Sequence, residues 1–228
     1  MHRLFHLLSQ PPGRNEFLAL FAIVVLLLAP WSHVHGTEDH ALESTSPTPP
    51  AISLSRILTG TSAGALESTV VDGGSWVRVR HLIHQAIVIE HPQGRFLFDT
   101  GVGRKTAMGF EKNSWLNRHL FAYRPLRTVA EALPDGGLAP RDFDGIWLSH
   151  LHWDHSGGLP DLAGVPAWVT DEALADARAG GPPAFFSEHL EAEGMVWRSL
   201  NLEERDYRGF PRSRDWFGDG ALVLVDLS

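Results

Sequence analysis

Apolar and polar positions alternate with a period of two over several short stretches of this chain, the mark of a strand that buries one face. Ile52 to Leu58 alternates in this way, and so does Ser75 to Arg80. Ile83 to Glu90 and Arg95 to Asp99 make a further pair, with His91-Pro92-Gln93-Gly94 as the turn between them, so an antiparallel sheet is predicted early in the chain. Phe143 to Leu148 has the continuous apolar, β-branched and aromatic content of a buried strand. Val165 to Thr170, Met195 to Leu200, Trp216-Phe217 and Ala221 to Asp226 predict four more, with Gly218-Asp219-Gly220 turning the last pair.

Helical spacing takes over between these stretches. Leu126, Val129, Ala130 and Leu133 form one stripe before Pro134-Asp135-Gly136-Gly137 stops it. Asp171 to Arg178 predicts a helix capped by Thr170 and acidic in its first turn, and Ala184 to Leu190 a second short one. Trp115, Leu116, Leu120, Phe121 and Tyr123 are expected to pack on the sheet, the alternative being that they line a substrate pocket.

The first fifty residues follow a different pattern. Arg3 and Arg14 precede a run of thirteen apolar residues, 17–29, which Pro30 closes. That length matches the ~7–15 residues of a signal-peptide core and falls short of the ~20 that span a bilayer. Residues 1–36 are therefore expected to direct export to the periplasm or medium, with an uncleaved membrane anchor over 17–34 as the alternative. Residues 37–50 are polar and proline-rich, the composition of a disordered linker, and the folded domain is expected over 51–228.

Composition removes some functions and leaves others. With 43% hydrophobic and 20% charged residues the chain has an ordinary globular balance, and its formal charge of −8 with no Lys/Arg cluster argues against a nucleic-acid partner. Without cysteine, neither a disulfide nor a thiolate metal site can form. Membrane contact is expected only through the N-terminal segment, and oligomeric state is left open.

Chemistry concentrates in Ser149-His150-Leu151-His152-Trp153-Asp154-His155-Ser156-Gly157-Gly158, a loop at the end of the Phe143 to Leu148 strand. In an extended segment His150, His152 and Asp154 share a side while His155 points elsewhere, which suggests two neighbouring metal positions. Imidazole nitrogens with a carboxylate and no thiolate suit zinc best, although iron, manganese or cobalt would accept the same donors. Leu151 and Trp153 alternate away and are expected to anchor the loop. His81, His84 and His91 are expected to be solvent-facing or hydrogen-bonded strand residues, His189 an exposed helix residue and not a ligand, and His119 and Arg124 have no assigned role. Asp99 closes its strand beside Thr100-Gly101, where its carboxylate could cap the following turn.

His150, His152, Asp154 and His155 match the H-x-H-x-D-H motif of the metallo-β-lactamase fold superfamily, and Leu97-Phe98-Asp99-Thr100-Gly101 resembles that family's upstream strand and Asp-x-Gly turn. The resemblance covers residues from about Ile52 onward. It implies an α+β four-layer αββα sandwich holding two zinc ions, His150 and His152 on the first, Asp154 and His155 on the second. Asp154 would also orient the attacking hydroxide or pass a proton, and Asp99 would lie beneath the metals and hold the histidine loop. The implied activity is hydrolysis of a small-molecule substrate by a metal-bound hydroxide. The aromatic before the Asp looks more like lactonases and general hydrolases than antibiotic-degrading enzymes, which favours an ester, lactone or related substrate.

The family's later Gly-His-Thr-Pro-Gly-like segment, bridging carboxylate and final histidine have no counterpart before Ser228. Measured against the family, the expectation is a C-terminally truncated domain, inactive as it stands; the alternative is a non-catalytic remnant or metal-binding module.

Overall fold

The computed structural model describes residues 50–227. The expected signal or anchor over 1–36 and the linker over 37–49 lie outside the described residues. Among the described residues no helix is long and apolar enough to cross a membrane.

The main body is one mixed sheet of seven strands. Strands β1 (Ser53–Ser62), β4 (Ile83–His91) and β5 (Gly94–Phe98) pair antiparallel in that order, with β6 (Tyr123–Pro125) antiparallel on the outer edge of β1. A small arm of β2 (Ala65–Leu66) and β3 (Val79–Arg80) lies between β1 and β4 in sequence. From β5 onward the pairing turns parallel, through β7 (Gly145–Trp147), β8 (Pro166–Val169) and β9 (Val196–Ser199). Strand β5 therefore joins an antiparallel half to a parallel half.

The two-residue period sorts the core into two faces. Ala86, Val88, Leu97, Ile146 and Ala167 meet Leu159, Leu162 and residues of the covering helices, which are α3 (Val129–Ala132), α5 (Asp171–Ala179) and α6 (Ser187–Leu190). Ile89, Phe96 and Trp147 point the other way. On them lies the hairpin of β10 (Ser213–Asp215) and β11 (Val223–Val225), bringing Trp216, Phe217, Leu222 and Leu224. Phe96 stacks on Trp147 at 4.0 Å, and Trp216 meets Trp147 edge-on at 5.0 Å. The hairpin tip is fastened at His91, whose ring stacks on Phe217 at 3.8 Å and whose Nε2 stands 3.0 Å from Asp219 Oδ2. Among the described residues this hairpin is what represents the second sheet expected of a four-layer sandwich.

Four local expectations are corrected. Of Ser75 to Arg80 only Val79–Arg80 is strand, because Ser75 N–H donates to Glu67, while Trp76 and Val77 face solvent. Leu126 precedes α3 and is exposed; the helix begins only after Thr128, whose hydroxyl accepts from Glu131 N–H while its own N–H donates to the Glu131 carboxylate. Trp115, Leu116, Leu120 and Phe121 are exposed rather than packed, because α2 (Trp115–Leu120) leads into the edge strand β6 and does not cross the face of the sheet. The strand expected at Trp216-Phe217 is displaced to β10, although Trp216 N–H still bonds Leu222 C=O.

Candidate metal centre

Two loops build the site, one leaving β5 and the other leaving β7. These strands are parallel, so both loops emerge at the same edge, where ligands bind in open sheets of this kind. The loops are laced together. Thr100 N–H and Oγ both bond His155 C=O at 2.8 Å, and Gly158 N–H donates to Thr100 Oγ at 3.1 Å. Their backbones come so close that a Cβ on Gly103 would stand 2.1 Å from Gly157 O, and one on Gly158 2.6 Å from Thr100 O. Glycine is required at this crossing because no side chain fits.

After β7 the chain bends at Ser149, is extended at His152, then closes into the single turn α4 (Trp153–Ser156). The N–H groups of His155 and Ser156 both bond His152 C=O, and Ser156 Oγ donates to the same carbonyl at 3.0 Å. Leu151 is buried in the main core and Trp153 in a smaller cluster with Val102 and Phe186, so the residues between the donors pin the loop. The turn also redirects His155. Instead of pointing elsewhere, its ring lies 4.0 Å from that of His150, and His150 lies 4.5 Å from His152. His155 Nε2 stands 3.7 Å from Asp154 Oδ2. The structure thus gathers all four predicted donors, and the helical turn explains why an extended-chain argument separated one of them.

Asp99 lies under this cluster with a positive φ of 58°. Its carboxylate accepts from Ser149 N–H at 2.9 Å, from Ser149 Oγ, and from His155 Nδ1 at 2.7 Å. It ties the donor loop directly and leaves Nε2 of His155 facing Asp154.

The charges are divided among neighbours. Burial lowers His155, but the carboxylates of Asp99 and Asp154 outweigh it and raise the group to about 9. Burial raises Asp154, yet His155, His84 and His150 hold it well below the ordinary carboxylate range. His150 is driven well below its usual value, first by burial and then by repulsion from His155 and His152; His152 is lowered chiefly by burial. Two neutral imidazoles beside an ionised carboxylate are the forms a divalent ion takes up, and the Asp99 to His155 bond is the outer support metal-bound histidines usually have. Among the described residues no three His, Asp or Glu side chains are set to hold one ion together. The donor set fits divalent ions in its chemistry.

Several participants carry no motif. His84 on β4 is buried, with Nδ1 3.3 Å from Asp154 Oδ2. Only the register of β4 brings it there, so nothing in local sequence spacing marks it. His189 is a correction: it is fully buried, its Nδ1 3.4 Å from Ser156 Oγ, because α6 is tucked beneath α4 with Phe186. Burial lowers it to about 4. His119 lies on α2, its Nδ1 2.7 Å from Trp115 C=O, and Arg124 lies on the edge strand β6.

Comparison with known proteins places this arrangement. N-acyl homoserine lactonase AttM of Azorhizobium caulinodans is 26% identical over 147 residues, 60% of this chain and 52% of that protein. A solved N-acyl homoserine lactone hydrolase, with N-hexanoyl-L-homoserine bound at its catalytic metal center, superposes with a TM-score of 0.54 at 20% identity, covering 70% of this chain and 63% of its own. The AiiA mutant of B. thuringiensis with N-decanoyl-L-homoserine at its active site gives the same TM-score, identity and coverage. The chain thus spans about half the length of the curated relative it matches. The sequence pattern of the metallo-beta-lactamase superfamily matches residues 79–226, which takes in the Asp99 turn, the donor loop and the aromatic hairpin behind them. With the mixed sheet and both loops in place, this chain belongs to the metallo-beta-lactamase superfamily.

Proposed function

We propose that the site is that of an exported metal-dependent hydrolase acting on a lactone or related ester. His150 and His152 would hold one divalent ion and Asp154 and His155 a second, zinc by the donor chemistry. The observation that carries this reading is the gathering of the four donors on the loop after β7, with His155 Nδ1 taken by Asp99 from the end of β5. Bound divalent ions would supply an acidified water and polarise the substrate carbonyl. The chain's own residues do the rest. Asp99 aims His155, Leu151 and Trp153 fix the loop between donors, and ionised Asp154 is the group able to orient a nucleophile by accepting its hydrogen bond. The lactone preference draws on the names of the relatives, and export on the Arg-flanked apolar run near the N-terminus.

The test is zinc binding measured by competition with a chromophoric chelator, followed by a panel of N-acyl homoserine lactones, aryl esters, phosphodiesters and a chromogenic β-lactam. Zinc should bind, His152→Ala should weaken it, and lactones should turn over fastest. A wild-type chain that binds no zinc overturns the metal centre; β-lactam turnover outpacing lactone overturns the substrate class. That no three donors among the described residues are set to hold one ion favours one second reading, a metal-binding module without turnover, which zinc binding with an inert panel would select.

A further inference from the structure

Asp99 fixes His155, and Asp154 has a neighbour of its own. Its neighbour comes from outside the loop. His84 stands on β4, 5% exposed, opposite Gly60 of β1 in the sheet register. Its ring is held on three sides: Trp153 lies at 5.4 Å and Tyr123 at 6.5 Å between ring centroids, and a Cβ on Gly60 would come within 3.4 Å of His84 Cδ2. Held there, it sets Nδ1 3.3 Å from Asp154 Oδ2. A nitrogen facing an ionised carboxylate must carry the proton, so Nδ1 is the donor. Among the described residues Nε2 is buried without a hydrogen-bond partner, which leaves the carboxylate as the ring's polar attachment there.

We propose that His84 is a positioning residue for Asp154: its Nδ1–H faces Oδ2, the same oxygen that stands 3.7 Å from His155 Nε2, and so fixes the rotation of the carboxylate beside that ring. Adjacent strands then divide the work. Asp99, following β5, aims His155, and His84, on β4, aims Asp154. Neither touches substrate, and the two supports have reversed chemistry, a carboxylate behind an imidazole and an imidazole behind a carboxylate. The inference rests on the reading of the cluster as a metal centre.

The two amide replacements of histidine separate this role from mere packing. Asparagine places an N–H where Nδ1 was, whereas glutamine places one where Nε2 was. In the full chain, zinc affinity by chelator competition, the visible absorption of bound cobalt(II) and the metal-free melting temperature are measured for wild type, H84N, H84Q and H84L. H84L and H84Q should bind zinc about 10–100-fold more weakly and shift the cobalt band, the usual cost of losing such a support. H84N should recover most of both. Equal affinity in H84N and H84Q, or wild-type affinity in H84L, overturns the proposal while leaving the metal centre intact; if H84L does not fold, the amide pair still decides. A wild-type chain that binds no zinc removes the metal centre and this role together.

Discussion

His155 is a cation between two carboxylates in the metal-free protein, and that makes its surroundings a source of pH-dependent stability. Its value is raised in the folded state from 6.5 to about 9, so the stabilisation is complete below pH ~6.5 and disappears as pH rises through about 9. The full effect is about 3 kcal/mol. Asp99→Asn keeps an acceptor but removes the charge; urea unfolding of the metal-free variant should show that alkaline loss flattened, and zinc affinity should fall about 10–100-fold. His189 works with the opposite sign. Its folded value is lowered from 6.5 to about 4, so the unfolded chain binds the extra proton and stability falls as pH drops between those values. His189→Leu should lose less stability than wild type across that window, by about 3 kcal/mol, read from the difference between their unfolding curves. Of these residues the cluster at His150, His152, Asp154 and His155 and its support by Asp99 were legible, because motif and turn chemistry are local. His84 and His189 were not, since burial and partner were decided by strand register and by where α6 docks.

At the scale of elements, the donor loop is stiff because its non-donor residues are buried. Leu151, between His150 and His152, is 2% exposed in the main core. Leu151→Ala should cost about 2–5 kcal/mol by denaturant unfolding and also weaken zinc, since the cavity lies directly beneath two donors. A loss of stability with unchanged zinc affinity would show the loop to be held by its hydrogen bonds alone. Strands were readable where both faces of the sheet are covered: Ala86 and Val88 against Ile87 and Ile89, or Ala167 and Val169 against Trp168, leave no alternative register. Ser75 to Arg80 has the same alternation, but only Val79–Arg80 finds a partner, in the two-residue pairing with β2, and periodicity cannot report a missing neighbour. The extended-chain argument failed at His155 for the same kind of reason. One turn of helix, fixed by the His152 carbonyl, overrides the two-residue period.

For the whole molecule, the two faces of the sheet are covered unequally: several helices on one, and on the other the hairpin whose aromatic residues meet Phe96 and Trp147. Trp216 joins three of those rings, contacting Phe96, Trp147 and Trp168. Trp216→Ala should destabilise the chain by about 3 kcal/mol in urea unfolding. Zinc affinity should stay at the wild-type value, because the hairpin packs on the face and the donors lie at the edge.

The glycine crossing at Gly103, Gly157 and Gly158 makes the spacing between the two loops a property of main chain alone. The letters at 150, 152, 154 and 155 can therefore be rewritten, for a different ion or none, upon a frame that stays put. Substitution scanning should find the three glycines less forgiving than any donor when folding is scored, and the order reversed when metal uptake is scored.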